Sequence, residues 1–366
     1  FYNCFQKEIR NYPKKIFNVC ILAIKMKGVL IVNLGSPNST EVNDVRKYLD
    51  QFLMDERVID FPKLIRKILV KGLILNIRPK KSSNAYKRIW WKEGSPLIVI
   101  SKKFHSKIQK KSKVPVSLSM RYGNPSIKSG LQDLRNKGVK EVLVIPLYPQ
   151  FAMSSVETIT VETEDIKNKF FPKMNLFHFP SFYNKPDYIE VLSNSIRDFL
   201  KDKKIDHLLF SYHGIPNRHI LKSDITGSHC KMNGICCFKK SEAHKYCYRH
   251  QCEITTLNVA KKLGLKKGSF STSYQSRVTI IGSWLKPYTD KTILEFAKKG
   301  YKNIAVVTPA FVSDCLETLE EIGMEASEDF KNNGGKELYL IPCLNFRDDW
   351  VKVASNWINQ WALNKS

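Results

Sequence analysis

Seven short apolar runs rich in Val, Ile or Leu punctuate the chain, at residues 28–34, 114–120, 141–147, 175–179, 207–213, 303–308 and 338–342. Each is too short for a helix and too uniformly apolar for a strand with one wet face, so the runs predict parallel strands buried on both sides. Between them, apolar residues recur at helical spacing over 127–136, 188–201, 252–263, 289–299 and 314–331. Strands and helices in alternation build right-handed βαβ units, hence an α/β fold with open parallel sheet and helices on both faces.

The halves rhyme. "GVKEVLVIPLYP" near the middle returns as "GYKNIAVVTPAF" near the end, each following a helix and leading into a polar loop. The repeat predicts two similar Rossmann-like lobes, residues 27–182 and 183–366, with the ligand cleft between them. Pro180, Asn184 and Pro186 punctuate that boundary. Residues 1–26 read as an N-terminal extension outside the fold, because the first strand begins directly after Met26. A Cys-rich insertion fills 222–252, and the last helix, 348–361, is expected to pack back on the first lobe.

Composition narrows the function classes. With 366 residues, 43% hydrophobic and 26% charged, the chain is globular, and no apolar run reaches the roughly 18 residues of a membrane span. The 60 Lys and Arg against 34 Asp and Glu leave a net charge of +26, a field that favours polyanions, anionic lipid heads or carboxylate-bearing small molecules. Much of that charge sits in 61–92, which holds ten Lys or Arg and no acid. There Ile65, Ile68 and Leu69, then Leu73, Leu75 and Ile77, precede Trp90 and Trp91, the pattern of a peripheral membrane lip or the mouth of an apolar site. Nucleic acid is not an expected partner, since a strand-binding surface would interleave aromatics on a platform. Nine cysteines, five of them in one window, point to a reducing, cytoplasmic setting rather than a secreted disulfide framework.

Candidate chemistry gathers at strand ends. "LLFSYHGIPNR" delivers His213 to the carboxyl edge of a strand, where an imidazole can accept a proton or ligate a metal. After the 303–308 strand, Glu317, Glu321 and Glu325 follow at i, i+4 and i+8, which predicts three carboxylates on one helix face. Such a row repels itself, so it makes sense where cations travel along it. Arg121 and Tyr122 close another strand, and an arginine there suits a bidentate carboxylate. The loop "LYPQFAMSS" offers Tyr148 as a substrate contact. The insertion carries Cys230, Cys236, Cys237, Cys247 and Cys252 with His229, His244 and His250, at a spacing matching no standard zinc motif. Free thiols, a structural zinc and a [2Fe–2S] cluster all remain open for it.

"GVLIVNLGSP", "YLDQFLMDERVIDFP", "RPKKSSNAYKRIWWKEGSP", "MRYGNPSI", "LYPQFAMSS", "FSYHGIP", "YQSRV…WLKPYTD" and "PAFVSDCLETLEEI" together resemble the ferrochelatases, with the Cys-rich stretch similar to a Bacteroidetes-like branch. The resemblance spans about residues 27–361. It implies two Rossmann-like lobes around a porphyrin and an enzyme that inserts ferrous iron into protoporphyrin IX or coproporphyrin III, releasing two pyrrole protons late in haem biosynthesis. By resemblance, His213 and Glu317 are catalytic and meet the iron, Glu321 and Glu325 form a relay, and Arg88, Arg121, Tyr122 and Trp284 contact the porphyrin. Which of His213 and Glu317 takes the metal and which the proton stays open. No cofactor is required for catalysis.

Three departures qualify the resemblance. Met153 stands where vertebrate-type members carry a cluster cysteine, and no Cys-bearing tail follows Ser366, so a vertebrate-type cluster is not expected. Cys315 replaces the histidine that many members have two residues before the glutamate. The 230–252 insertion lacks a counterpart in the simplest members. The alternative from another class is a non-catalytic two-lobe module that binds haem or another metal complex; three stacked carboxylates argue against it.

Overall fold

The computed structural model describes residues 26–276 and 282–364. Eight parallel strands form two four-stranded sheets. The first holds β1 (Lys27–Ser36), β2 (Val116–Gly123), β3 (Glu141–Pro146) and β4 (Asn175–His178) in the order β2-β1-β3-β4. The second holds β5 (His207–His213), β6 (Phe270–Gln275), β7 (Asn303–Val307) and β8 (Glu337–Leu340) in the order β6-β5-β7-β8, the same arrangement repeated. The central strands are buried from end to end: Val29, Leu30, Ile31 and Val32 are at most 1% exposed, as both faces of a helix-covered parallel sheet require.

All seven apolar runs form strands. The eighth, β6, was not legible, because "FSTSYQ" is mostly polar. It is an edge strand whose hydroxyls find partners instead of an apolar cover: Ser273 of β6 and Ser211 of β5 both share a hydrogen bond with Thr289, at 2.8 Å each.

The basic segment after residue 61 is helical over two pieces, α1 (Lys63–Lys67) and α2 (Leu75–Ile89), joined by wide π-type turns at Ile68–Ile74. Pro79 inside α2 cannot donate to the carbonyl of Leu75, and the Arg46 guanidinium donates to that carbonyl instead. Leu64, Ile65, Ile68, Leu73 and Ile77 are 53–70% exposed, an unusually apolar surface for a solvated helix.

The final helix, Asp348–Leu363, packs against the helix Pro96–Lys111 and the helix Pro186–Leu200. Trp350 stacks on Phe104 with ring centroids 5.8 Å apart and packs against Phe182 and Tyr188, while the Lys27 ammonium donates to the carbonyl of Asn364 at 2.5 Å. One large core cluster runs from β2 and β3 through these aromatics to β5 and β7, joining the two halves. The N-terminal extension, 1–25, lies outside the described residues, as does the Arg277–Val278 part of the "YQSRV" motif.

Candidate functional site

At the carboxyl ends of β5 and β7, neighbours in the second sheet, a partly enclosed cleft opens. His213 and Glu317 line it together, with Glu321 beside them. The first half supplies Phe52, Arg78, Tyr148 and Gln150, and Ile215, Tyr248 and Phe311 complete the wall.

His213 ends β5 and its Nδ1 lies 2.8 Å from the carbonyl of Gly214, which only accepts, so Nδ1 carries the proton and Nε2 holds the free lone pair. Burial holds the imidazole below its ordinary range, with the Glu317 carboxylate pulling the other way. The chain turns immediately after it. Gly214 donates to the carbonyl of Gln275 at 2.6 Å, and a Cβ on residue 214 would meet that oxygen at 2.8 Å, so only glycine fits the approach. The Tyr248 hydroxyl donates to the carbonyl of His213 at 2.9 Å, fixing the strand end from the other side.

Glu317 follows a turn that is fully anchored. Buried Asp314 accepts from the side-chain amide of Asn345 at 2.6 Å, the hydroxyl of Thr318 at 3.1 Å and the backbone of Cys343 at 3.2 Å. Cys315 then caps the short helix Leu316–Leu319, donating its N–H to the Thr318 hydroxyl at 3.0 Å. Burial, with Glu317 next to it, pushes the Cys315 thiol well up. Tyr48, Tyr86 and Tyr148 are buried around the same carboxylate, and their phenols are likewise raised and neutral.

The row of three acids does not survive. After Glu317 the chain forms a π-type turn, Glu321–Ala326, in which the Glu325 N–H reaches back five residues to the carbonyl of Glu320 at 2.9 Å. One extra residue per turn moves the next inward position from 325 to 326. Ala326 is buried there, while Glu325 points to solvent with its side chain 51% exposed. Glu321 remains inside: the Ser276 hydroxyl donates to it, and burial together with Glu317 pushes its carboxyl up to about 7.

The cations are also redistributed. Arg88 lies outside the cavity, with its guanidinium on the buried carboxylate of Glu320 and 3.3 Å from Glu325. Arg121 is no open fork for a ligand either. It is 2.6 Å from Asp55 and 3.5 Å from Glu162 and donates to the Thr158 hydroxyl at 2.7 Å, while Asp55 also accepts from the Tyr122 hydroxyl at 2.9 Å. Tyr122 is fully buried behind the wall residue Phe52, their rings meeting edge-on at 5.1 Å. Trp284 is buried against Gly214 and pairs with Pro216 rather than forming part of the cavity wall. Arg78 is the cation that faces the cavity among the described residues, and the sequence offered no means to prefer it over its many basic neighbours. Gln275, Ser276 and Tyr248 were missed for the same reason: their importance comes from partners distant in sequence. So was Asp60, a buried acid of the first half that binds Arg218 and Lys222, at 2.6 Å each, in the helix Asn217–Lys222 just beyond His213.

The five cysteines of the insertion are buried and unpaired, away from the cavity wall. Cys247 shares hydrogen bonds with Cys237 and Cys230, and burial pushes the Cys230 thiol up to about 12. His229 and His244 both turn Nε2 to the carbonyl of Cys236, at 2.9 and 3.1 Å, and His244 stacks on His250 at 3.6 Å. Among the described residues no three His, Cys, Asp or Glu side chains are arranged to hold a metal ion. This packing gives no support to a [2Fe–2S] cluster or a zinc among the described residues.

Comparison with known proteins supplies the remaining observation. A family model described as Ferrochelatase matches residues 26–361. The ferrochelatase of Pseudomonas syringae pv. syringae is 47% identical over 325 residues, covering 88% of this chain and 95% of that one. The ferrochelatase of Stutzerimonas stutzeri is 45% identical over 329 residues, covering 89% and 96%. Among solved structures, the sirohydrochlorin chelatase SirB from Bacillus subtilis subspecies spizizenii, in complex with cobalt, aligns with a TM-score of 0.51 over 92% of this chain and 95% of that one. At 12% identity that likeness speaks for the fold alone.

Proposed function

The chain belongs to the ferrochelatase family, and on that premise we propose that its cleft works with His213 as the proton acceptor and Glu317 as the group that receives the incoming ion. The enzyme inserts ferrous iron into a porphyrin, a late step of haem biosynthesis, and this replaces the reading of a passive haem-binding module.

The substrate is a flat apolar disc with carboxylate tails. Phe52, Ile215 and Phe311 offer it apolar walls, and Arg78 offers a cation for one tail. Exchange of one Fe²⁺ for two protons leaves the total charge unchanged, so the site must remove protons as readily as it supplies metal. A neutral imidazole with Nδ1 committed to Gly214 can take a pyrrole proton at Nε2. The Glu317 carboxylate offsets the ion's charge on approach, and a single carboxylate holds such a cation weakly enough to release it to four pyrrole nitrogens. Glu321, titrating at about 7, is matched to pass protons onward at neutral pH. Glu325, on the outer surface, takes no part in that relay.

The observation that carries this reading is that His213 and Glu317 line one cavity from neighbouring strands. Purified protein given Fe(II) with protoporphyrin IX or with coproporphyrin III, followed by the metalloporphyrin spectrum, tests it and identifies the porphyrin. Formation of neither product sinks the reading.

No helix among the described residues is long and apolar enough to cross a membrane. The exposed residues Leu64, Ile65 and Ile68, flanked by Lys63, Lys67 and Lys71, support a peripheral hold on an anionic bilayer beside the cleft that Arg78 of the same segment lines.

A further inference from the structure

We propose that Gln275 is a positioning residue that sets the distance between the two reacting side chains, an inference that rests on the roles given to His213 and Glu317 above. Gln275 is the last residue of β6, stands beside His213 in the strand register and is 6% exposed. Three of its polar groups reach two segments, the end of β5 and the Glu317 turn. Its backbone carbonyl accepts from Gly214 at 2.6 Å, directly after the imidazole. Its side-chain nitrogen donates to the backbone carbonyl of Glu317 at 2.8 Å, and its side-chain oxygen accepts from the Ser211 hydroxyl at 2.8 Å, two residues before His213.

The consequence is geometric. β6 is hydrogen-bonded to β5 but separated from β7 in the sheet order, so nothing in the sheet ladder ties it to the Glu317 turn. The Gln275 amide makes that tie across the carboxyl edge. Its orientation is settled without ambiguity, because Glu317 offers a carbonyl and only the NH₂ end can donate to it. The next residue extends the arrangement: Ser276, in the left-handed region at φ 60°, turns its hydroxyl to Glu321. Two consecutive residues therefore hold the backbone under one acid and the carboxylate of the other, while the first also fixes the turn after the base. A displacement of an ångström between acid and base costs a reaction far more than it costs binding of a disc gripped along its whole rim.

The test is a split between turnover and binding. In Gln275→Glu the shape is kept, but the donor facing the Glu317 carbonyl becomes an acceptor that repels it. The expected result is a fall in kcat of about tenfold or more, on the order of the loss of one buried hydrogen bond with a partner left unsatisfied. The porphyrin Kd, read from fluorescence quenching, stays within about twofold, and kcat is expressed per porphyrin-binding site so that misfolded protein does not count. Ser211→Ala, which frees the amide to rotate, gives a smaller fall of the same kind and serves if Gln275→Glu fails to fold. Unchanged kcat per binding site in the variants overturns the proposal, as does a loss confined to Kd. His213→Ala is run alongside. If it retains turnover, the assignment of the base has failed; if it is inactive while the Gln275 variant is normal, only the positioning role has failed.

Discussion

The Nδ1 of His213 donates to the carbonyl of Gly214 at 2.8 Å, a bond between adjacent residues that decides which ring nitrogen is basic. With Nδ1 occupied, Nε2 is the only ring position able to accept a proton, and burial keeps it unprotonated in neutral solution. His213→Ala should cut metalloporphyrin formation by roughly 10²–10⁴-fold, the usual worth of a positioned general base. Porphyrin binding by fluorescence should change little, and turnover close to the parent's would remove the residue from the mechanism.

Arg78 and Arg121 should behave differently although both are first-half arginines. Arg78 faces the cavity, so Arg78→Ala should weaken porphyrin binding by about 10- to 100-fold, the span of a charge-assisted hydrogen bond, with a smaller effect on kcat. Arg121 is saturated by Asp55, Glu162 and Thr158, so Arg121→Ala should instead lower the melting temperature by leaving Asp55 buried without its cation. Equal binding losses in the two variants would contradict this division.

Glu321 gives a pH signature with a definite sign. Its carboxyl is raised from 4.5 to about 7, so the folded protein keeps a proton that the unfolded chain releases earlier. Stability is therefore full below about pH 4.5 and declines as pH rises through 7, by on the order of 3 kcal/mol at most. Glu321→Gln should raise the melting temperature relative to the parent at about pH 8 and leave the difference near zero at about pH 4. A constant difference across that range would show that the carboxyl is not perturbed.

Membrane contact through the basic helices can be measured by co-sedimentation. Replacing Leu64, Ile65 and Ile68 with Ser removes about 1.5–3 kcal/mol of burial per side chain that enters the lipid. The triple variant should no longer co-sediment with phosphatidylglycerol vesicles, while its turnover in detergent solution stays at the parent level. Equal binding of parent and variant, or parent binding to neutral phosphatidylcholine alone, would rule out this surface.

What the sequence made legible follows its physics. Val29–Val32 and Ile304–Val307 announce strands because a strand covered on both faces is apolar at every position. β6 hid because an edge strand can satisfy its hydroxyls locally, as Ser273 does with Thr289. His213 and Glu317 were legible because they close obvious strand–turn units. Glu325 was misplaced because i+4 spacing assumes a uniform α-helix, and the turn that shifts it is a hydrogen-bond pattern with no signature in residue type. The ion pairs of Arg88 and Arg121 were not legible because their acids, Glu320 and Asp55, come from remote segments that composition cannot pair with them.

The two sheets share a strand order, and His213 and Glu317, the pair proposed to react, both follow strands of the second. Drift between the halves alters the slot offered to the rim of the disc, and it also bears on Glu317, whose short helix packs Leu316 and Leu319 among Tyr48 and Tyr86 of the first half. Mutations accumulating around Phe52 and Arg78 therefore touch the wall of the cleft and the surroundings of Glu317 together.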